Sequence, residues 1–303
     1  MSATRFTKLS RATLVGIVFL ITARLMIAVV LTGGCAPENI AVSADGVPIS
    51  FHVQGSGIPA LVFIHGWCCD KSYWDKQVPY FAKRHKVVTI DLAGHGESGL
   101  GREAYTMAAF GEDVVAVVNK LGLDKVVLIG HSMGGFVMLE AARLMPERVM
   151  GLVGVDNLQN FEFKLTQEQI DDWFTPLRSN FVEGTKNFVR GMFTTTADSD
   201  LVEKIVADMS SAPPTVGFGA LEGYVNYQNN ELIHALKEVQ AQITCINSDW
   251  YPTDVEINQS YVPSYKAKII PGLGHFVMNE DPETFNRLLA ETVAEFVRPA
   301  GLE

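Results

Sequence analysis

Six consecutive residues, Gly130-His131-Ser132-Met133-Gly134-Gly135, limit what this chain can fold into more than any other stretch. They follow residues 126–129 (Val, Val, Leu, Ile), an apolar run without alternation that reads as a strand buried on both faces, as in a parallel sheet. Behind them Phe136, Leu139, Ala142 and Arg143 fall at helical spacing. A serine caught between strand and helix stands on a sharp turn. Small residues on either side let the two elements approach while the central residue takes a strained backbone. Gly130 and Gly134 supply them, and the pattern is Gly-x-Ser-x-Gly in a strand-turn-helix setting.

The flanking sequence alternates in the same manner. Residues 40–42 and 49–53 flank Asp45-Gly46 and predict a hairpin. Strands follow at 60–64 and 86–90, with helices around 74–82 and 107–121. A strand is read over 149–155, and the rhythm then breaks. Residues 157–238 are helical in pattern and rich in aromatic and methionine side chains (Trp173, Phe188, Met192, Tyr224), so they read as a helical cap inserted in a sheet fold. Alternation resumes with a strand at 243–246, a helix at 255–261 and a strand at 267–270. A last helix opens on Asp281 as N-cap with Pro282 at its first position. The fold class is α/β, with a mostly parallel central sheet and helices on both faces. The chain divides into a segment 1–35, a first core part 36–156, the cap 157–238 and a second core part 239–303.

An apolar content of 48% suits one sizeable core. The net charge is -10, and the charges ahead of Cys35 (Arg5, Lys8, Arg11, Arg24) are all basic, so the folded part is more acidic still. Without a basic stripe to neutralise phosphates, nucleic acid is excluded as a partner. Residues 12–31 form an apolar run behind that basic start, the pattern of a secretory signal. It ends in Leu31-Thr32-Gly33-Gly34-Cys35, which resembles a bacterial lipobox, so Cys35 is the candidate lipidation site. This predicts an extracytoplasmic, membrane-anchored and periplasm-facing protein. An uncleaved signal anchor or plain secretion is the alternative. Cys68, Cys69 and Cys245 are expected to be buried and apolar rather than a disulfide framework or a zinc site.

A serine hydroxyl needs a base, an oriented acid behind the base, and donors for the oxyanion. His275, in Gly272-Leu273-Gly274-His275-Phe276, sits on a glycine-rich loop past the last strand, where functional groups collect. His52, His85 and His234 lack such a setting. The loop after the 60–64 strand reads His65-Gly66-Trp67, and the backbone N–H groups of Trp67 and Met133 are the candidate oxyanion donors.

These motifs, with Asp91-Leu92-Ala93-Gly94-His95-Gly96-Glu97-Ser98 and Glu280-Asp281-Pro282-Glu283, resemble the α/β-hydrolase superfamily over residues 38–298. The resemblance implies Ser132 as nucleophile, His275 as general base, and packing or hydrogen-bonding roles for His95 and His131. Members usually carry the acid after the strand read at 243–246, where this chain has Asn247-Ser248-Asp249-Trp250-Tyr251-Pro252-Thr253-Asp254. Asp249 is the first candidate, with Asp254 and Asp156 as alternatives. The serine sets the chain apart from dehalogenases and epoxide hydrolases, which place aspartate at that turn. The implied activity is hydrolysis of a small-molecule carboxylic ester through an acyl-serine, with no cofactor or metal. Lactone, thioester, amide or carbon-carbon hydrolysis, or a slow-turnover ligand receptor on the same fold, are the alternatives.

Overall fold

The computed structural model describes residues 39–298. The signal segment and Cys35 lie outside the described residues. No helix among those described is long and apolar enough to cross a membrane.

Strands β1 (Ile40–Val42) and β2 (Pro48–Gln54) form the antiparallel hairpin signalled by Asp45-Gly46, with Gly46 at a φ of 87°. They are followed by β3 (Ala60–Ile64), β4 (Val87–Ile90), β5 (Val126–His131), β6 (Val149–Val155), β7 (Ile243–Ser248) and β8 (Lys266–Ile270). One sheet results, ordered β1-β2-β4-β3-β5-β6-β7-β8, parallel from β4 to β8. Every residue of β3 and β5 is buried, which is why these strands carry no polar alternation. The chain leaves β3 toward β4 on one side and returns to β5 on the other. The crevice beyond the ends of β3 and β5 is therefore the switch point where such sheets bind ligands.

Helix α1 (Met107–Lys120) is capped by Thr106, whose hydroxyl accepts the Ala109 N–H at 3.1 Å. Helix α2 (Met133–Leu144) starts directly after Ser132 and is buried from Met133 through Ala142. Between β6 and β7 come α3 (Gln167–Ser179), α4 (Phe181–Arg190), α5 (Ser199–Met209), α6 (Pro214–Asn226), a π-helical turn (Tyr227–Glu231) and α7 (Leu232–Glu238). This helical layer is tied to α2 by Tyr227, whose hydroxyl donates to the buried Glu140 carboxylate at 2.6 Å, and by stacking of Phe136 on Tyr224 at 5.0 Å. Helix α8 (Val255–Tyr261) follows β7. The last helix, α9 (Pro282–Val297), begins as its sequence requires, the Asp281 carboxylate accepting the Thr284 N–H at 3.0 Å. Cys68, Cys69 and Cys245 are free and buried, and burial pushes their thiols up, that of Cys245 to about 12.

A buried polar knot fixes the hairpin to this frame. Arg102 donates to both carboxylate oxygens of Asp113 on α1 and to Asp45 in the hairpin turn at 2.7 Å. Asp113 also accepts from the Ser43 hydroxyl at 2.6 Å and the Ala93 N–H at 3.0 Å. Arg102 and Asp113 are both buried, so removing one partner strands a charge. Arg102→Met should lower unfolding free energy by about 3–5 kcal/mol in chemical denaturation. A loss below about 1 kcal/mol, the scale of an exposed pair, would show that the knot is dispensable.

Candidate active site

Strand β5 delivers Ser132 into the switch-point crevice with φ 51° and ψ -119°, a conformation side chains rarely adopt. Such a backbone costs of order 1–3 kcal/mol and must be held from outside. A Cβ at position 130 would lie 2.2 Å from the Gly134 carbonyl oxygen, and one at 134 would lie 2.6 Å from the carbonyl oxygens of Ile64 and His65. The two glycines thus let α2 pack against both β5 and β3. The Ser132 N–H donates to Val155 O at 3.0 Å, and the Gly135 N–H donates to Ser132 O at 2.9 Å, which pins the turn on both sides.

His275 follows β8 on its glycine-rich loop. Its Nδ1 lies 2.6 Å from Asp156 Oδ2, with the Asp156 side chain fully buried. The carboxylate fixes the proton on Nδ1 and leaves Nε2 as the lone-pair nitrogen. The other oxygen of Asp156 accepts from the Ser248 N–H at 2.7 Å and the Ser248 hydroxyl at 2.9 Å.

The partner of His275 is therefore Asp156, and the first choice, Asp249, is corrected. Strand β7 runs on to Ser248, so a serine fills the strand-end position expected to carry the acid. Asp249 falls beyond it and turns away to accept the Gly272 N–H at 2.8 Å. Asp254 caps α8, accepting the Ile257 N–H at 3.0 Å. At Asp156 the backbone is left-handed, with φ 46°, directly after the last residue of β6.

Ser132, His275 and Asp156 line one cavity of about 420 Å³, together with Trp67, Met133 and apolar side chains of the helical layer such as Trp173, Phe188 and Leu221. Gly66 brings the loop after β3 against the turn, since a Cβ there would stand 3.2 Å from Ser132 Cβ. The Met133 N–H, at the first position of α2, has no acceptor within its helix. The Trp67 indole Nε1–H donates to Gly217 O in α6 at 2.7 Å, so this side chain joins the loop to the helical layer.

Three further histidines are buried and neutral. His131 Nε2 faces the His275 carbonyl oxygen at 3.0 Å, and burial holds its pKa far below the ordinary value. His65 bonds Gly66 O through Nδ1 at 2.8 Å and accepts the Leu92 N–H on Nε2 at 3.0 Å, which satisfies a neutral ring and leaves no site for a second proton. Burial lowers it to about 4, and His95, bonded to Ala93 O at 3.1 Å, to about 3.

Sequence reading missed Ser248, and it took Glu280 only as part of a motif. Glu280 accepts the Gly274 N–H at 3.0 Å and the Phe276 N–H at 3.1 Å, gripping the backbone on both sides of His275, and burial raises its pKa. The His275 N–H itself donates to Met192 O at 2.9 Å, beyond the end of α4. An acid immediately before Asp281, the N-cap of α9, was the only signal for this grip. Among the described residues, no three His, Cys, Asp or Glu side chains converge as metal ligands.

The model of the alpha/beta hydrolase fold family matches residues 59–282. An uncharacterized protein of Mycobacterium bovis is 26% identical over 264 residues, covering 80% of this chain and 77% of the relative. A thermophilic esterase from Thermogutta terrifontis superposes with TM-score 0.73 at 23% identity, covering 86% of this chain and 98% of that one. Est816, described as an N-acyl homoserine lactone degrading enzyme, superposes with TM-score 0.72 at 25% identity, covering 83% and 99%.

The neutral histidines set a pH limit on the fold. The unfolded chain takes up protons on His65 and His95 near the ordinary 6.5, the folded chain only near 4 and 3. The unfolded state binds more protons across that window, so stability rises with pH there and is lost as pH falls from 6.5 toward 4. Denaturation midpoints measured along that interval should fall, and less steeply in a folded His95→Gln variant. Equal slopes would remove His95 from the account.

Proposed function

Because the chain belongs to the alpha/beta hydrolase fold family, we propose that it is a hydrolase of carboxylic esters working through an acyl intermediate on Ser132. The observation that carries this reading is the 2.6 Å pair of His275 and Asp156 opening on the same cavity as the strained serine. In the proposed reaction Ser132 Oγ attacks the ester carbonyl, and His275 Nε2 takes the hydroxyl proton. Asp156 stabilises the imidazolium formed, and the N–H groups of Trp67 and Met133 receive the oxyanion. His275 then gives its proton to the leaving alcohol, and water repeats the sequence on the acyl-serine.

A cavity of about 420 Å³ with an aromatic lining favours an apolar acyl or aryl group of modest size. A second reading, lactone hydrolysis, draws on the likeness to Est816. A lactone is a cyclic ester open to the same attack. We propose further that the segment ahead of the folded part, with Cys35 as its lipidated residue, holds the protein at the outer side of a membrane.

Assays with p-nitrophenyl acetate, butyrate and octanoate test the chemistry. Ser132→Ala should lose on the order of 10⁴-fold or more in turnover. Asp156→Asn should lose about 10⁴-fold, while Asp249→Asn stays near wild type. A sensitive Asp249 with an insensitive Asp156 would reverse the assignment of the acid, and an active Ser132→Ala would end the serine mechanism. For the anchor, Cys35→Ser should move the full chain from the membrane fraction to the soluble one. Retention of the variant in membranes would refute lipidation as the attachment.

A further inference from the structure

Asn157 follows Asp156, and its side chain turns back across the sheet. The Nδ2 amide donates to the carbonyl oxygen of Gly130 at 2.8 Å and to that of Ser132 at 3.1 Å. These carbonyls bracket His131, at the last step of β5 before the turn. The assignment of the amide is unambiguous, because the flipped form would set its oxygen against two carbonyl oxygens.

Room for the amide comes from two glycines. A Cβ on Gly135 would stand 2.1 Å from Asn157 Nδ2, and one on Gly154 would stand 2.3 Å from Oδ1. Gly135 is the third glycine of the 130–135 stretch, which the approach of strand and helix at 130 and 134 leaves unexplained. Its lack of a side chain serves Asn157. The Oδ1 atom is buried and has no hydrogen-bond partner among the described residues. The hydrogen bonds its side chain makes are therefore the two that its amide donates.

The backbone of the same residue is locked as well. The Asn157 N–H donates to Asn247 Oδ1 at 3.2 Å, and Asn247 Nδ2 donates to Asn157 O at 3.1 Å. Left-handed backbone at Asp156 and at Leu158, with φ 46° and 54°, brackets it. One short turn therefore holds the carboxylate toward His275 and the amide toward the Ser132 backbone.

We propose that Asn157 is a positioning residue: its amide clamps the Ser132 turn to the turn that carries Asp156, and so sets the spacing between nucleophile and acid-base pair. The proposal rests on the serine-hydrolase reading above. Loss of the clamp lets the strained turn relax and displaces Ser132 from the pair. A displacement of about 1 Å in such a site costs about 100-fold in rate.

The test uses the full chain with p-nitrophenyl butyrate and a fluorophosphonate probe. Asn157→Ala should lower kcat about 100-fold with KM little changed, slow labelling of Ser132 in parallel, and still melt cooperatively. Asn157→Asp supplies a readout that a packing role would not move. Its ionised carboxylate cannot donate, whereas the protonated acid restores one of the two bonds. Its activity relative to wild type at the same pH should thus rise as pH falls. Wild-type kcat and labelling rate in Asn157→Ala would overturn the proposal. Should that variant not fold, a pH-independent ratio for Asn157→Asp would overturn it instead. Absence of Ser132-dependent labelling in the wild-type chain is a separate result, which refutes the hydrolase reading itself.

Discussion

The approach of helix α2 to strands β3 and β5 governs the geometry of the site. At position 134 there is no room for even a methyl group beside the carbonyls of Ile64 and His65, and at 130 none beside Gly134. This contact forces the left-handed backbone at Ser132 and lifts its side chain out of the sheet into the crevice. It also starts α2 at Met133, which leaves an N–H without a helical partner beside the serine. A serine on the cavity wall and a free donor beside it follow from one close approach.

Around that turn the polar groups are set by burial rather than by proximity to solvent. His65, His95 and His131 are all kept neutral by desolvation, and each spends a ring nitrogen on a backbone carbonyl. His275 differs in two ways. It reaches a carboxylate and remains partly exposed. Several histidines therefore crowd one region, while one alone has both an orienting acid and access to the cavity.

Much of this was legible in the sequence because it depends on short-range pattern. Unbroken apolar runs marked the central strands, the Asp45-Gly46 turn marked the hairpin, and Asp281-Pro282 marked the start of α9. The glycines around Ser132 carried the turn itself. Asp156 was legible only as one of three candidates; which aspartate meets His275 was not, since that depends on where β7 ends and on the sign of φ at Asp156, and neither leaves a trace in local composition. Ser248 in place of a carboxylate was the one available clue. It gained meaning only once β6 and β7 were known to lie side by side, with Asp156 N bonded to Ile246 O at 3.1 Å. The part played by Glu280 was hidden for a similar reason, because it acts on backbone N–H groups that no side-chain pattern records.

The bond from the His275 N–H to Met192 O joins the loop bearing the imidazole to the helical layer roofing the cavity. Stacking of Phe193 on Phe276 at 5.0 Å reinforces the same seam, and Gly274 has no side chain because Met192 O and Phe193 Cα occupy its place. The loop that carries the imidazole and the helical segment beyond α4 are therefore held as one body: neither can shift without breaking a backbone hydrogen bond, unstacking a ring pair and opening a gap at Gly274.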